Sequence, residues 1–164
     1  MVIELSPLVH IEIVVPDAVK AAEFLNRIFG SEIVEKEFSD TLSNMGVVKV
    51  VHVKLGNVIL QFIEPSSEKI QTLWSEHLDK KGPGVHNLTF IVKDIRAAAR
   101  ALKQEGVKTL IKFPVAWDQF IDPEDLREKS PPVHMIGGEE IVGFRFELAE
   151  SPYKEDKTPE EYKV

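Results

Sequence analysis

The sequence predicts an α+β protein in which two βαβββ modules form a curved mixed sheet around one cleft. Three observations carry that expectation. Residues 10–30 return in altered form at residues 87–107, at a constant offset of 77, so that Val15 meets Val92, Asp17 meets Asp94, Ala21 and Ala22 meet Ala98 and Ala99, and Leu25 meets Leu102. Both copies read as a β-run, an Asp able to cap a helix by accepting from the unpaired amides of its first turn, and apolar residues at helical spacing. Between the copies, Lys80-Lys81-Gly82-Pro83-Gly84 gathers chain breakers into a boundary.

Residues 8–15 read as the first strand. Alternation puts His10, Glu12 and Val14 on one face and Ile11, Ile13 and Val15 on the other. The aliphatic face is expected to pack on the following helix, so His10 and Glu12 look into whatever the sheet encloses. In that helix Ala21, Phe24, Leu25 and Ile28 follow i, i+3, i+4, i+7 as one apolar face. A short strand is expected over residues 33–38, then a polar turn over 39–44. Longer strands over 47–55 and 58–64 meet at Gly56-Asn57, a strong hairpin signal. Pro65-Ser66-Ser67 ends the last strand and opens a linking helix with Ile70, Leu73, Trp74 and His77, which completes a first module of residues 1–81.

The second module, residues 82–150, reads as strand 86–92, helix 94–105 and strands 109–113, 132–136 and 142–149, with Gly137-Gly138 at the last turn. Residues 114–131 are an insertion with no counterpart in the first module. Asp122-Pro123 inside it reads as a helix start, and Trp117 and Phe120 are expected to lie over the cleft as a lid. Residues 151–164 are charged and poor in apolar side chains, which predicts a loosely held tail.

A chain of 164 residues with 43% hydrophobic content fits one globular unit, or two half-size ones sharing a core. No apolar run approaches the roughly 20 residues that span a bilayer, and no basic-then-apolar leader precedes Leu8, so a soluble cytoplasmic protein without a membrane partner is expected. The net charge of −7 argues against a nucleic-acid partner, whose backbone calls for a basic stripe, but leaves room for a local positive pocket. With no cysteine there is no disulfide frame, thiolate metal site or Cys nucleophile.

The stretches HIEIVVPDAVKAAEFLNRIFG, LGNVILQFIEP, GPGVHNLTFIVKDI and GFRFEL resemble the vicinal oxygen chelate superfamily over residues 8–150. This is the group of glyoxalase I, methylmalonyl-CoA epimerase, extradiol dioxygenases and bleomycin resistance proteins, and the stretches look most like the epimerases. The resemblance implies the glyoxalase-like fold and a divalent metal held by residues from the first and last strand of each module. Carried over, the ligands are His10, Gln61 and Glu147, with the third strand giving Asn87 by register or His86 by residue type. Imidazole, amide and carboxylate together suit Co, Mn, Ni or Zn, and a member without metal is the other reading. The repeat supports the set independently, because Gln61 and Glu147 hold matching places in QFIE and ELAE, as His10 and Asn87 do in the opening strands. Two departures stand out. Asn87 stands where the epimerases show a His, and the stretch around Asn44-Met45-Gly46 lacks the Glu that serves them as one of two proton-transfer bases.

The activity implied is that of a metal-dependent lyase or isomerase of the glyoxalase or epimerase type, moving a proton next to a carbonyl. Glu147 would double as ligand and base, with Glu12 as a replacement base. The alternative is a metal-free protein of the bleomycin-resistance type that binds a small anionic molecule. Arg145 shares a face with Glu147 and is expected either to pair with Glu12 or to hold the acid group of a substrate, with Asn87 and Trp117 completing the binding set. His52, His77, His86 and His134 are placed by default on loops or the surface. A homodimer is left open.

Overall fold

The computed structural model describes residues 2–67, 70–112 and 134–150. The insertion with Trp117, Phe120 and Asp122-Pro123, and the tail after Glu150, lie outside the described residues. The elements are β1 (His10–Val14), α1 (Ala18–Phe29), β2 (Glu32–Val34), α2 (Lys36–Ser43), β3 (Val48–Leu55), β4 (Val58–Pro65) and α3 (Leu73–Lys81), followed by β5 (Gly84–Val92), α4 (Ile95–Gln104), β6 (Thr109–Lys112), β7 (His134–Gly137), α5 (Glu139–Val142) and β8 (Phe146–Glu150). They fall into two compact units, residues 10–86 and residues 1–9 with residue 87 onward.

In the unit of residues 10–86 the strand order is β2-β3-β4-β1, with β1 parallel to β4 and the other pairs antiparallel. Asp17 caps α1 by accepting from the Lys20 amide at 2.9 Å, as its position predicts. The helix packs on the aliphatic face of the strands, where Val15, Ala18, Ala22, Val53, Leu60 and Phe62 form the core and Ile11, Ile13 and Leu25 pack against it. The buried stripe is narrower than the one read from spacing. Ala18 and Ala22, one turn apart, let the helix approach the sheet closely, and Phe24 and Ile28 remain 50% and 55% exposed.

The strand expected over residues 33–38 is cut short. The strand stops at Val34 and α2 takes the place of both strand and turn. Phe38 and Leu42 sit one helical turn apart, Lys36 pairs with Asp40 at 2.7 Å, and Ser39 turns inward, so helical contacts outweigh the β-rich start.

In the other unit the order is β6-β7-β8-β5, with β5 parallel to β8. Asp94 caps α4 through the Ala97 amide at 2.8 Å. Val92, Ile95, Ala98, Ala99, Met135 and Leu148 form its core, and Ile3 from the start of the chain packs against them. That early segment is tied to β5. The Ser6 amide donates to the Ile91 carbonyl at 3.0 Å, the Ile91 amide to Ser6 Oγ at 2.8 Å, and the Val9 amide to the Thr89 carbonyl at 2.9 Å. The single turn of α5, bracketed by left-handed Gly138 and Gly143, takes in Val142, so the last strand opens at Phe146 and not at the expected residue 142. Among the described residues no helix is long and apolar enough to cross a membrane.

Candidate functional site

Strand register assembles a polar face on each unit, opposite its helix-covered core. In residues 10–86 Gln61 lies between Glu12 of β1 and His52 of β3 as their cross-strand partner. In-register neighbours project to one side of a sheet, so Glu12, His52 and Gln61 share the face that also carries His10. In the other unit Glu147 lies between Thr89 of β5 and Ile136 of β7. Gln61 and Glu147 thus hold equivalent positions in the two half-sheets, as the repeat predicts.

His52 is the centre of the first polar cluster. It is 0% exposed, not a loop or surface residue. Its Nδ1 meets Ser39 Oγ at 2.8 Å and its Nε2 meets Gln61 Nε2 at 2.8 Å. A Gln amide nitrogen only donates, so His52 Nε2 accepts, and Nδ1 carries the proton toward Ser39. Phe38 stacks on the ring at 5.3 Å between centroids, and the His10 ring stands edge-on at 5.9 Å. Burial, with the charge of His10 adding to it, pushes the His52 pKa down to about 4, so the ring is neutral at physiological pH. Glu35 approaches the same ring nitrogen with Oε2 at 3.7 Å. Burial also holds its carboxyl above the usual carboxylate range.

The second cluster is built on Glu12, which is 2% exposed. Its Oε1 accepts from Trp74 Nε1 at 2.6 Å and pairs with His86 Nδ1 at 2.7 Å. His77 stands edge-on to His86 at 5.3 Å, and both are buried, against their default placement at the surface. The linking helix therefore does more than connect, since it brings Trp74 onto the β1 carboxylate and His77 against the His86 ring. The two contacts converge on one oxygen and hold the Glu12 side chain in place.

In the other unit Glu147 is 3% exposed. Its Oε2 accepts from Asn87 Nδ2 at 2.9 Å, and its Oε1 is bonded to His134 Nδ1. Asn87 accepts in turn from Thr89 Oγ1 at 3.0 Å. Arg145, just ahead of β8, is held through Nε by Glu139 Oε2 at 2.7 Å. Arg145 and Glu12 each have a partner within their own unit.

The donor chemistry of the candidate ligands is compatible with a divalent ion. Giving its amide nitrogen to His52 leaves Gln61 its carbonyl oxygen as the ligating atom, and Glu147 is a carboxylate on the matching strand. Asn87 is the weak member, because its carbonyl already accepts from Thr89. Among the described residues no group of three or more His, Asp or Glu side chains is arranged to hold a metal by themselves.

Residues 9–119 match the model of the Glyoxalase/Bleomycin resistance protein/Dioxygenase superfamily. The mitochondrial methylmalonyl-CoA epimerase of Homo sapiens is 33% identical over 106 residues, which are 65% of this chain and 57% of that protein. The chain thus spans 57% of the length of this curated relative. Methylmalonyl-CoA epimerase from Mycobacterium tuberculosis superposes with a TM-score of 0.62 at 23% identity, covering 94% of both chains. A Streptomyces coelicolor epimerase variant in complex with 2-nitronate-propionyl-CoA gives 0.63 at 22% identity, covering 92% of this chain and 100% of that one. The fold is therefore the glyoxalase-like one.

Proposed function

Because the chain belongs to the Glyoxalase/Bleomycin resistance protein/Dioxygenase superfamily, we propose that it is an isomerase of the methylmalonyl-CoA epimerase type, acting on a small anionic acyl thioester. The observation that carries this reading is the state of Glu147, a buried carboxylate held by Asn87 and His134 on the strand position that matches Gln61. A carboxylate kept dry and oriented in this way is suited to moving a proton beside a carbonyl. The C–H bond breaks toward the carboxylate, the electron pair passes to the thioester oxygen as an enolate, and the proton is then returned to carbon. Arg145, partly exposed beside Glu139, is the candidate for holding the acid group of the substrate. His10, Gln61 and Glu147 are the residues that would hold a divalent metal, which when bound would polarise the substrate carbonyl.

The test is incubation of the protein with methylmalonyl-CoA in deuterated water, following loss of the α-proton signal, together with elemental analysis of the purified protein. Exchange supports the isomerase. A second reading, a metal-free binder of small anions, is favoured by Asn87 standing where the epimerases show His. Saturable anion binding without exchange would select it.

A further inference from the structure

Glu147 carries the moving proton in the reading above, on which this inference rests. A carboxylate in that role needs a fixed direction toward carbon. Its Oε1 is bonded to His134 Nδ1, and its Oε2 accepts from Asn87 Nδ2 at 2.9 Å. An amide, however, has a donor on one side and an acceptor on the other, and a half-turn of its plane exchanges them. We propose that Thr89 is a positioning residue, whose hydroxyl sets the Asn87 amide so that its nitrogen, and not its oxygen, faces Glu147.

Strand geometry brings the three side chains together within one unit. Asn87 and Thr89 stand two residues apart on β5 and project from the same face, and Glu147 on β8 is the cross-strand partner of Thr89. Phe90 and Leu148, the next pair in register, look the other way and join the core. Thr89 Oγ1 donates to Asn87 Oδ1 at 3.0 Å, which puts the amide nitrogen on the Glu147 side. All three residues are buried, where a misdirected polar atom is more costly than at the surface. Threonine also suits the task, because its β-branch restricts χ1 and so fixes the direction of the hydroxyl.

With the amide turned, Asn87 Oδ1 and Glu147 Oε2 would face each other as two acceptors, and the carboxylate would be pushed off its line. Glu147 alone does not hold the amide through a cycle. Each time it takes a proton it becomes able to donate as well as accept, and either amide orientation then satisfies it. Thr89 does not change state, so it keeps the amide nitrogen in place for the carboxylate that re-forms.

The test uses methylmalonyl-CoA in deuterated water and a set of Thr89 variants. Thr89→Val keeps the side-chain shape without the hydroxyl. It should fold as the wild type by circular dichroism, leave KM within about twofold and lower kcat for α-proton loss by about tenfold, the scale of one net hydrogen bond. Thr89→Ala, which also lacks the hydroxyl but adds no methyl in its place, should behave in the same way. Thr89→Ser keeps the hydroxyl and should recover most of the lost rate. In proton–nitrogen correlation spectra the Asn87 side-chain N–H pair should exchange slowly with solvent in the wild type and in Thr89→Ser, and about tenfold faster in Thr89→Val. Wild-type kcat in Thr89→Val, or equal losses in Thr89→Val and Thr89→Ser, would overturn the inference and leave the isomerase reading standing. Slow exchange of the Asn87 amide in Thr89→Val would overturn it without reference to turnover. Absence of α-proton loss in the wild type would remove the isomerase reading, while the amide spectra still decide whether Thr89 sets Asn87.

Discussion

Glu12 and His86 lie 74 positions apart in sequence and meet through Oε1 and Nδ1 at 2.7 Å, both buried. Trp74 donates to the same oxygen. Removing one member of such a group leaves donors or charge in a place that water does not reach, which is more costly than the net worth of the bonds. Glu12→Leu should therefore destabilise the protein by about 3–5 kcal/mol. Glu12→Gln keeps an acceptor for Trp74 and should lose clearly less. Urea unfolding midpoints decide it, and equal losses for the two variants would show that a neutral acceptor does not stand in for the carboxylate.

Stability should fall as the solution is acidified from pH 6.5 to 4, through His52. Its folded pKa of about 4 lies below the ordinary value of 6.5, so in that window the unfolded chain binds more protons and acid favours unfolding. A depression of this size corresponds to about 3 kcal/mol. Glu35, held above its ordinary range, acts with the opposite sign, because its contribution is largest in acid and is lost as pH rises. His52→Gln should flatten the acid limb of the unfolding profile. An unchanged limb would mean that His52 is protonated in the folded state.

Gly138→Ala should cost about 2–3 kcal/mol, the scale of an overpacked site with added backbone strain. Gly138 adopts φ +91, and a Cβ there would come within 2.2 Å of the Phe146 ring. Thermal melting of the variant checks this, and a melt matching the wild type would show that the ring moves aside freely.

Asn87→His supplies the imidazole that the superfamily resemblance implies for the third strand. Calorimetric titration with Co(II) should show binding tighter than wild type by about tenfold or more, or about 1.4 kcal/mol. Unchanged affinity would take this position out of the ligand set.

Much of the polar face was open to reading from residues alone. Alternation in β1 separated His10 and Glu12 from Ile11 and Ile13, and the core bears that out. His52 was within reach too. A hairpin closed at Gly56-Asn57 pairs Leu55 with Val58, and counting outward along both strands brings His52 to Gln61. A histidine inside a β-rich run carries no mark of its own, so its burial emerges only from that pairing. α2 announced itself weakly, through Phe38 and Leu42 one turn apart, and the β-branched residues ahead of it masked the signal. Nothing in the residue order marks Glu35, because a left-handed backbone at a glutamate is imposed by its surroundings. The Glu12–His86 contact joins residues far apart in sequence, and no local pattern encodes that kind of meeting.

The hydrogen bonds from Ser6 and Val9 to β5 have a consequence for the order of folding. Residues 10–86 are contiguous and contain β1 to β4 with the pairings among them, so these four strands can pair as soon as they are synthesised. Residues 3–9 are made earlier but have nowhere to dock until residues 87–92 exist. The second unit must then collect a segment left waiting upstream, a closure over some 80 residues whose entropic cost grows only slowly with length. A circular permutant that opens the chain at Gly82-Pro83 and covalently joins the original ends would place that segment after β8, within the same continuous stretch as the rest of its unit. It should refold faster than the parent chain, with the gain confined to the phase in which β5 becomes protected from hydrogen exchange.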